Sequence, residues 1–111
     1  MTNISHLRNT YPEKVAFLRV ELNQILNVYG RLVRVGEARD YAIGMHPDRA
    51  IFAMYRRATE QPTWRVEKIP ALANRQGAYA VFGSAGQVLR RGRDLSTVLR
   101  VFEKRRFDVV D

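Results

Sequence analysis

The sequence predicts a two-layer α+β fold: an antiparallel sheet of about five strands packed against two amphipathic helices, in the order α-β-β-β-β-β-α. Three observations predict it. Two segments, one early and one late, carry apolar residues at helical spacing. Between them lie five short runs of β-forming residues, each bounded by Gly, Pro or polar turn signals. No connection between successive runs is long enough for a parallel crossover, so neighbouring strands should be antiparallel. Two helices bracketing one sheet are expected to cover the same face.

Residues 1–14 are polar and aperiodic and are expected to form a flexible N-terminal arm. The apolar run 15–18 is expected as an edge strand or as a staple against the following helix. Residues 19–35 form the first helix: Leu22, Ile25, Leu26, Tyr29, Leu32 and Val33 make one stripe, with Asn23, Gln24, Asn27, Arg31 and Arg34 opposite. Gly36 supplies a helix terminator tolerant of positive φ. Gly30, inside the helix, costs up to about 1 kcal/mol against alanine, which suggests that another element packs closely there.

The runs 41–45 and 50–56 are joined by His46-Pro47-Asp48-Arg49, a turn with proline at its second position. A third run, 64–69, follows a polar loop and stops at Pro70. Residues 71–77 are expected as a loop or one short helical turn. The runs 78–82 and 87–91 flank Gly83-Ser84-Ala85-Gly86, a hairpin signal with its turn at Ala85-Gly86. Gly92 then breaks the strand and Asp94 stands at a helix N-cap, where its carboxylate can accept from first-turn amides. Leu95, Val98, Leu99 and Phe102 continue as a helical stripe, and residues 107–111 are expected to fray. The 111 residues read as a single domain, 1–111.

Composition narrows the function classes. A hydrophobic content of 46% supports a packed core. The chain has no cysteine, which removes disulfides and thiolate metal sites. No apolar run reaches the length of a membrane span, and the N-terminus lacks the apolar centre of a signal peptide. A cytoplasmic protein without membrane contact is therefore expected. The net charge is +8, and sixteen of the nineteen basic residues are arginine. Arginine's planar fork matches phosphate and carboxylate, so a nucleic-acid partner, DNA or RNA, is the first expectation. Charge that only keeps a small protein soluble is the alternative.

Five blocks in order, ELNQILNVYGR (21–31), RDYAI (39–43), WRVEK (64–68), QGAYAV (76–81) and LRRGRDL (89–95), resemble one family. It is a group of small alphaproteobacterial proteins catalogued as a domain of unknown function, and the likeness spans roughly residues 17–106. It implies a bacterial, cytoplasmic protein and brings no activity, cofactor or catalytic residue with it. Members place an aspartate just before the first helix; here Leu18 stands there, and leucine cannot accept from first-turn amides.

Catalytic chemistry finds little support. His6 and His46 have no ligand-type neighbours at useful spacing, so neither a metal nor a cofactor is expected. Ser84 lies in a hairpin turn, not a nucleophile elbow. Ser96 and Thr97 occupy a helix's first turn, where hydroxyls are ordinary. Glu37 near Arg39, Asp48 beside Arg49 and Glu67 between Arg65 and Lys68 read as surface ion pairs. An enzyme is not expected.

Binding remains. A sheet covered on one face leaves the other open, and aromatics among arginines there could stack bases and hold phosphates. The platform candidates are Tyr55, Arg56, Arg57, Trp64, Arg65, Tyr79 and Arg90, although Trp64 and Tyr79 fit sheet core equally well. Hairpin register would put Tyr79, Val81 and Arg90 on one face and Phe82 with Leu89 on the other. The expected nucleic-acid site combines Arg90, Arg91, Arg93, Arg100, Lys104 and Arg105 with Arg65 and Tyr79; Arg106 adjoins them. The alternative is a protein–protein interaction or adaptor module, homodimeric through an apolar sheet edge, with the runs 78–82 and 15–18 as the edges.

Overall fold

Short turns hold each strand beside the one before it. The computed structural model describes residues 13–57 and 61–103. Its strands are β1 (Asp40–Met45), β2 (Ala50–Tyr55), β3 (Trp64–Lys68), β4 (Tyr79–Gly83) and β5 (Val88–Gly92), in that spatial order and antiparallel throughout. Helix α1 (Arg19–Arg34) precedes them and the short α2 (Leu95–Val98) follows. The fold is α+β, in the order that the sequence predicts. Most of the expected arm, the tail 107–111, and His6, Lys104, Arg105 and Arg106 lie outside the described residues.

Helix α1 begins despite Leu18: no side chain caps its first-turn amides, but Glu21 reaches back and its Oε1 takes the Leu18 N–H at 2.7 Å. It ends at Gly36, whose φ of +79° lets Gly36 N–H reach Val33 O while Glu37 N–H reaches Leu32 O at 2.8 Å. Ile25, Val28 and Leu32 are its buried line, with Leu22, Leu26 and Tyr29 packed at the sides, whereas Val33 points largely outward. A Cβ on Gly30 would meet nothing within 4 Å, so no close approach of another element explains that glycine.

All the large core side chains of the sheet share one face. Phe52 and Met54 of β2, Trp64 and Val66 of β3, and Val81 of β4 meet Ile25, Val28 and Leu32 of α1. Leu95 and Val98 of α2, with Leu99 and Phe102, close the same core, and Phe102 sets its ring edge-on to Trp64 at 5.5 Å. Both helices therefore cover one face. The second is interrupted sooner than its stripe predicts: Leu99 N–H still reaches Leu95 O, but a turn follows in which Arg100 N–H bonds to Thr97 O and Phe102 N–H to Leu99 O.

Three expectations about the sheet need correction. The run 78–82 is not an edge: β4 lies between β3 and β5, and the edges are β1 and β5. Residues 15–18 form no strand; they lead into α1, with Val15 N–H on His46 O at 2.8 Å. The β4–β5 turn holds three residues, Ser84 to Gly86, with Gly86 at φ +83°, and a register shift at Val81/Phe82 pairs Phe82 with Val88, not Leu89. Tyr79, Val81 and Arg90 do share a face. Pro70–Leu72 forms a 3-10 turn, and its loop presses Gly77 so closely on Gly92 that a Cβ there would sit 2.2 Å from the Gly92 carbonyl carbon.

Candidate functional site

The face of the sheet away from the helices is built in rows set by strand register. One row runs Ala42, Ala53, Arg65, Phe82, Val88, and the next Gly44, Ile51, Glu67, Ala80, Arg91. Small residues leave room, and charged side chains lie over them. Glu67 is central and only 2% exposed. Its Oε1 accepts from Arg49 Nη1 at 2.7 Å and its Oε2 from Arg65 Nε at 3.0 Å. This pairing corrects the surface reading of Glu67: a carboxylate buried this deeply needs such donors to offset its lost hydration.

Arg65 spans two roles. While bonded to Glu67 it also lays its guanidinium over the Phe82 ring, 4.9 Å from the centroid. Arg91 approaches the same ring at 6.0 Å. Arg91 Nη1 is buried without a hydrogen-bond acceptor among the described residues. A phenyl ring with two guanidinium groups this near its centroid is a cation–π arrangement. Beyond it, β5 forms a basic rim. Arg90 is exposed, and Arg93, also exposed, ties itself to the preceding loop through Nε on Ala73 O at 3.3 Å. Arg90, Arg91 and Arg93 form no salt bridge with any described acid, unlike Arg49, Arg56, Arg65 and Lys68.

The helix side has a charged cluster of its own. Glu21 accepts from Lys68 Nζ at 2.8 Å and from the Tyr79 hydroxyl. Burial pushes the Glu21 carboxyl up, yet the bonds from Lys68, Tyr79 and the Leu18 amide outweigh it and hold it below its ordinary value. Burial, then the Glu21 carboxylate, pushes the Tyr79 phenol up to about 12. Such a phenol stays protonated and serves as a donor, not a base.

The expected site residues therefore divide. Arg65 and Arg91 meet on the open face, whereas Arg90, opposite Val81, projects from edge strand β5 on the helix side, and Arg93 lies just past the strand's end. Tyr79 faces the helices with Lys68 as its cross-strand partner, so it shares no surface with Arg65. Trp64 is core. Arg100 is exposed beyond α2, near Asp94, and Lys104 and Arg105 fall outside the described residues. Arg56 pairs with Glu37 at 2.9 Å, the place expected for Arg39. Phe82, Arg49 and Glu67 are the members that sequence reasoning missed as site residues; only the strand register brings them together.

Between the helices a cleft of about 190 Å³ is lined by Gln24, Asn27, Arg31, Ser96 and Glu103 over Val28 and Leu99. Among the described residues no group of three or more His, Cys, Asp or Glu side chains could hold a metal ion. No helix among them is long and apolar enough to cross a membrane.

The sequence profile of the family described as Protein of unknown function (DUF2794) matches residues 15–99, and the chain belongs to that family. No curated protein and no solved structure matches it.

Proposed function

We propose, for this member of the family, a non-catalytic role in binding nucleic acid, carried by the β5 rim and the adjoining open face of the sheet. One observation supports it above the others: Arg90, Arg91 and Arg93 follow one another along the β5 edge, Arg90 and Arg91 on opposite sides of it, without an acid partner among the described residues, and Arg91 shares the Phe82 ring with Arg65. Unpaired guanidinium groups release counterions when they meet phosphates, which is the main source of affinity for a polyanion. The outer plane of a stacked guanidinium can also receive a base. With a net charge of +8, the whole chain adds a long-range attraction to the local contacts. As part of the same proposal the protein works in the cytoplasm.

Fluorescence anisotropy with mixed-sequence single-stranded DNA and RNA, repeated over a range of salt, tests the reading. The expected result is a dissociation constant in the micromolar range or tighter at low salt, weakening steeply as salt rises. No binding at low salt overturns it.

A further inference from the structure

The two edges of the sheet are opposite in character. β5 carries Arg90, Arg91 and a register shift, features that discourage another strand from pairing. β1 carries none of them: from Tyr41 to Met45 it has no charge, no proline and no bulge. Among the described residues its outward main chain meets no other strand, and the Tyr41 N–H is held only by a side chain that pairing would have to release. His46 N–H bonds across the hairpin to Arg49 O, and Tyr41 N–H turns to its neighbour's carboxylate on Asp40. Strand alternation thus turns the main-chain groups of Tyr41, Ile43 and Met45 away from β2. The side chains of these residues are 42%, 43% and 51% exposed. Ile43 and Met45 line an apolar hollow of about 290 Å³ with Ala16, Phe17 and Leu22.

We propose that β1 pairs with β1 of a second copy, forming a symmetric dimer with a continuous ten-stranded sheet centred on Ile43. Symmetry favours this occupant. Two antiparallel copies of one strand are related by a dyad normal to the sheet, so like faces must adjoin. The apolar rows of the two copies therefore merge on the helix side, and no apolar residue is set against a charged face.

Polar pairing selects the register. With Ile43 opposite its symmetry mate, Tyr41 faces the second copy's Met45, and Asp40 faces the second copy's His46 on the open side. The His46 ring already lies over Gly44 on that side, its Nε2 3.0 Å from where a Cβ on Gly44 would stand. A register centred on Ala42 sets Asp40 against Gly44 and loses this pairing. In the Ile43 register both helix layers lie on one side and both open faces on the other. The two β5 rims then sit at the far ends, nine strand spacings or roughly 43 Å apart.

Sedimentation equilibrium of the full chain at micromolar concentration is expected to give twice the 12.9 kDa chain mass. Ile43→Lys sets two like charges face to face at the dyad and should weaken the dimer by at least about tenfold, with the thermal melt showing that the chain still folds. Since the chain lacks cysteine, Ile43→Cys supplies its only thiol, and a short bismaleimide should join two copies there but not at Val88→Cys on the other edge. Asp40→Lys should weaken pairing, and His46→Glu added to it should restore pairing. A monomer at every concentration overturns the proposal. A dimer that ignores Ile43→Lys, or cross-links at position 88 instead, overturns the assignment to β1, and a charge swap without rescue overturns the register.

Discussion

The same five strands present two different chemistries to their two sides. Toward the helices, Phe52, Val66 and Val81 are fully buried in a continuous apolar core. On the other side, the residues directly next in sequence, Ala53, Arg65, Glu67 and Phe82, are covered by one another's side chains, with no helix among the described residues over them. Period-two alternation produces the contrast, because each strand divides its residues between the faces. The lesson is about what orders each side. Apolar burial and dispersion order the helix side; ion pairing and guanidinium stacking order the open side, where they also leave charge at the surface.

The contrast is sharpest for two phenylalanines. Phe52→Ala removes a wholly buried ring that touches Tyr41 and Tyr29, at centroid distances of 4.8 and 6.1 Å, and should cost about 3–5 kcal/mol. Phe82→Ala should cost less, about 1–2 kcal/mol, because Arg65 and Arg91 can settle into part of the space. Urea denaturation of both variants measures the difference. Equal losses would mean that the open side is as much a core as the helix side.

Next in size are the two buried carboxylates, one on each side. Glu67→Gln takes the charge partner from Arg49 and Arg65, and about 2–3 kcal/mol of stability should be lost, less than for a wholly buried pair since Arg49 is 36% exposed. Glu21→Gln should cost a similar amount through Lys68 and the start of α1. Their effects on nucleic acid should differ. Glu67→Gln adds one net positive charge beside Arg65 and should tighten binding, whereas Glu21→Gln, on the covered side, should change it little. Anisotropy with both variants at one salt concentration decides whether the open face takes part.

Much of this architecture is legible in the sequence, and the illegible part has a definite cause. Alternation, Pro47, Pro70 and the Gly83–Gly86 turn define all five strands to within a residue or two, and the apolar spacing of residues 22–33 defines α1. What no local pattern contains is the meeting of residues far apart in the chain. Glu67 reads as a surface acid until register brings Arg49, eighteen positions away, across to it. Tyr79 reads as a platform aromatic until Glu21, fifty-eight positions away, captures its hydroxyl. The extra residue at Leu89 shifts Phe82 from its expected partner, and so Phe82 was legible as a strand residue but not as the ring beneath Arg65.

A pH profile separates the sides by a smaller effect. On the helix side the neutral Tyr79 phenol is favoured in the folded state, with its pKa raised from 10.0 to about 12. Its contribution is therefore whole below about pH 10 and is lost as pH rises through about 12. Glu21, held below its ordinary value, gives a contribution that is present above the unfolded carboxylate pKa and lost as pH falls through the lower folded value. Tyr79→Phe should remove the alkaline loss attributable to this phenol, and Glu21→Gln part of the acid loss. Melting curves from pH 3 to 11 test both; an alkaline limb unchanged in Tyr79→Phe would place its origin elsewhere.

The smallest effect on stability should come from the rim, where the effect on binding should be clear. Arg90 is exposed, lies on β5 opposite Val81, and has no described acid as a partner. Arg90→Gln should alter stability by less than about 0.5 kcal/mol. If Arg90 holds one phosphate, the salt dependence of nucleic-acid binding should flatten by about one unit of slope. Arg91→Gln is the informative neighbour: it too removes one positive charge, but its guanidinium lies over Phe82 with Nη1 buried, so some stability should go with it. A flatter slope in both variants makes the rim and the open face one surface. A flatter slope in Arg91→Gln and Arg65→Gln alone moves the phosphate contacts onto the open face. Should Arg90→Gln lose more than about 1 kcal/mol, far beyond what an exposed site usually loses, Arg90 is part of the fold and its place in the binding surface falls.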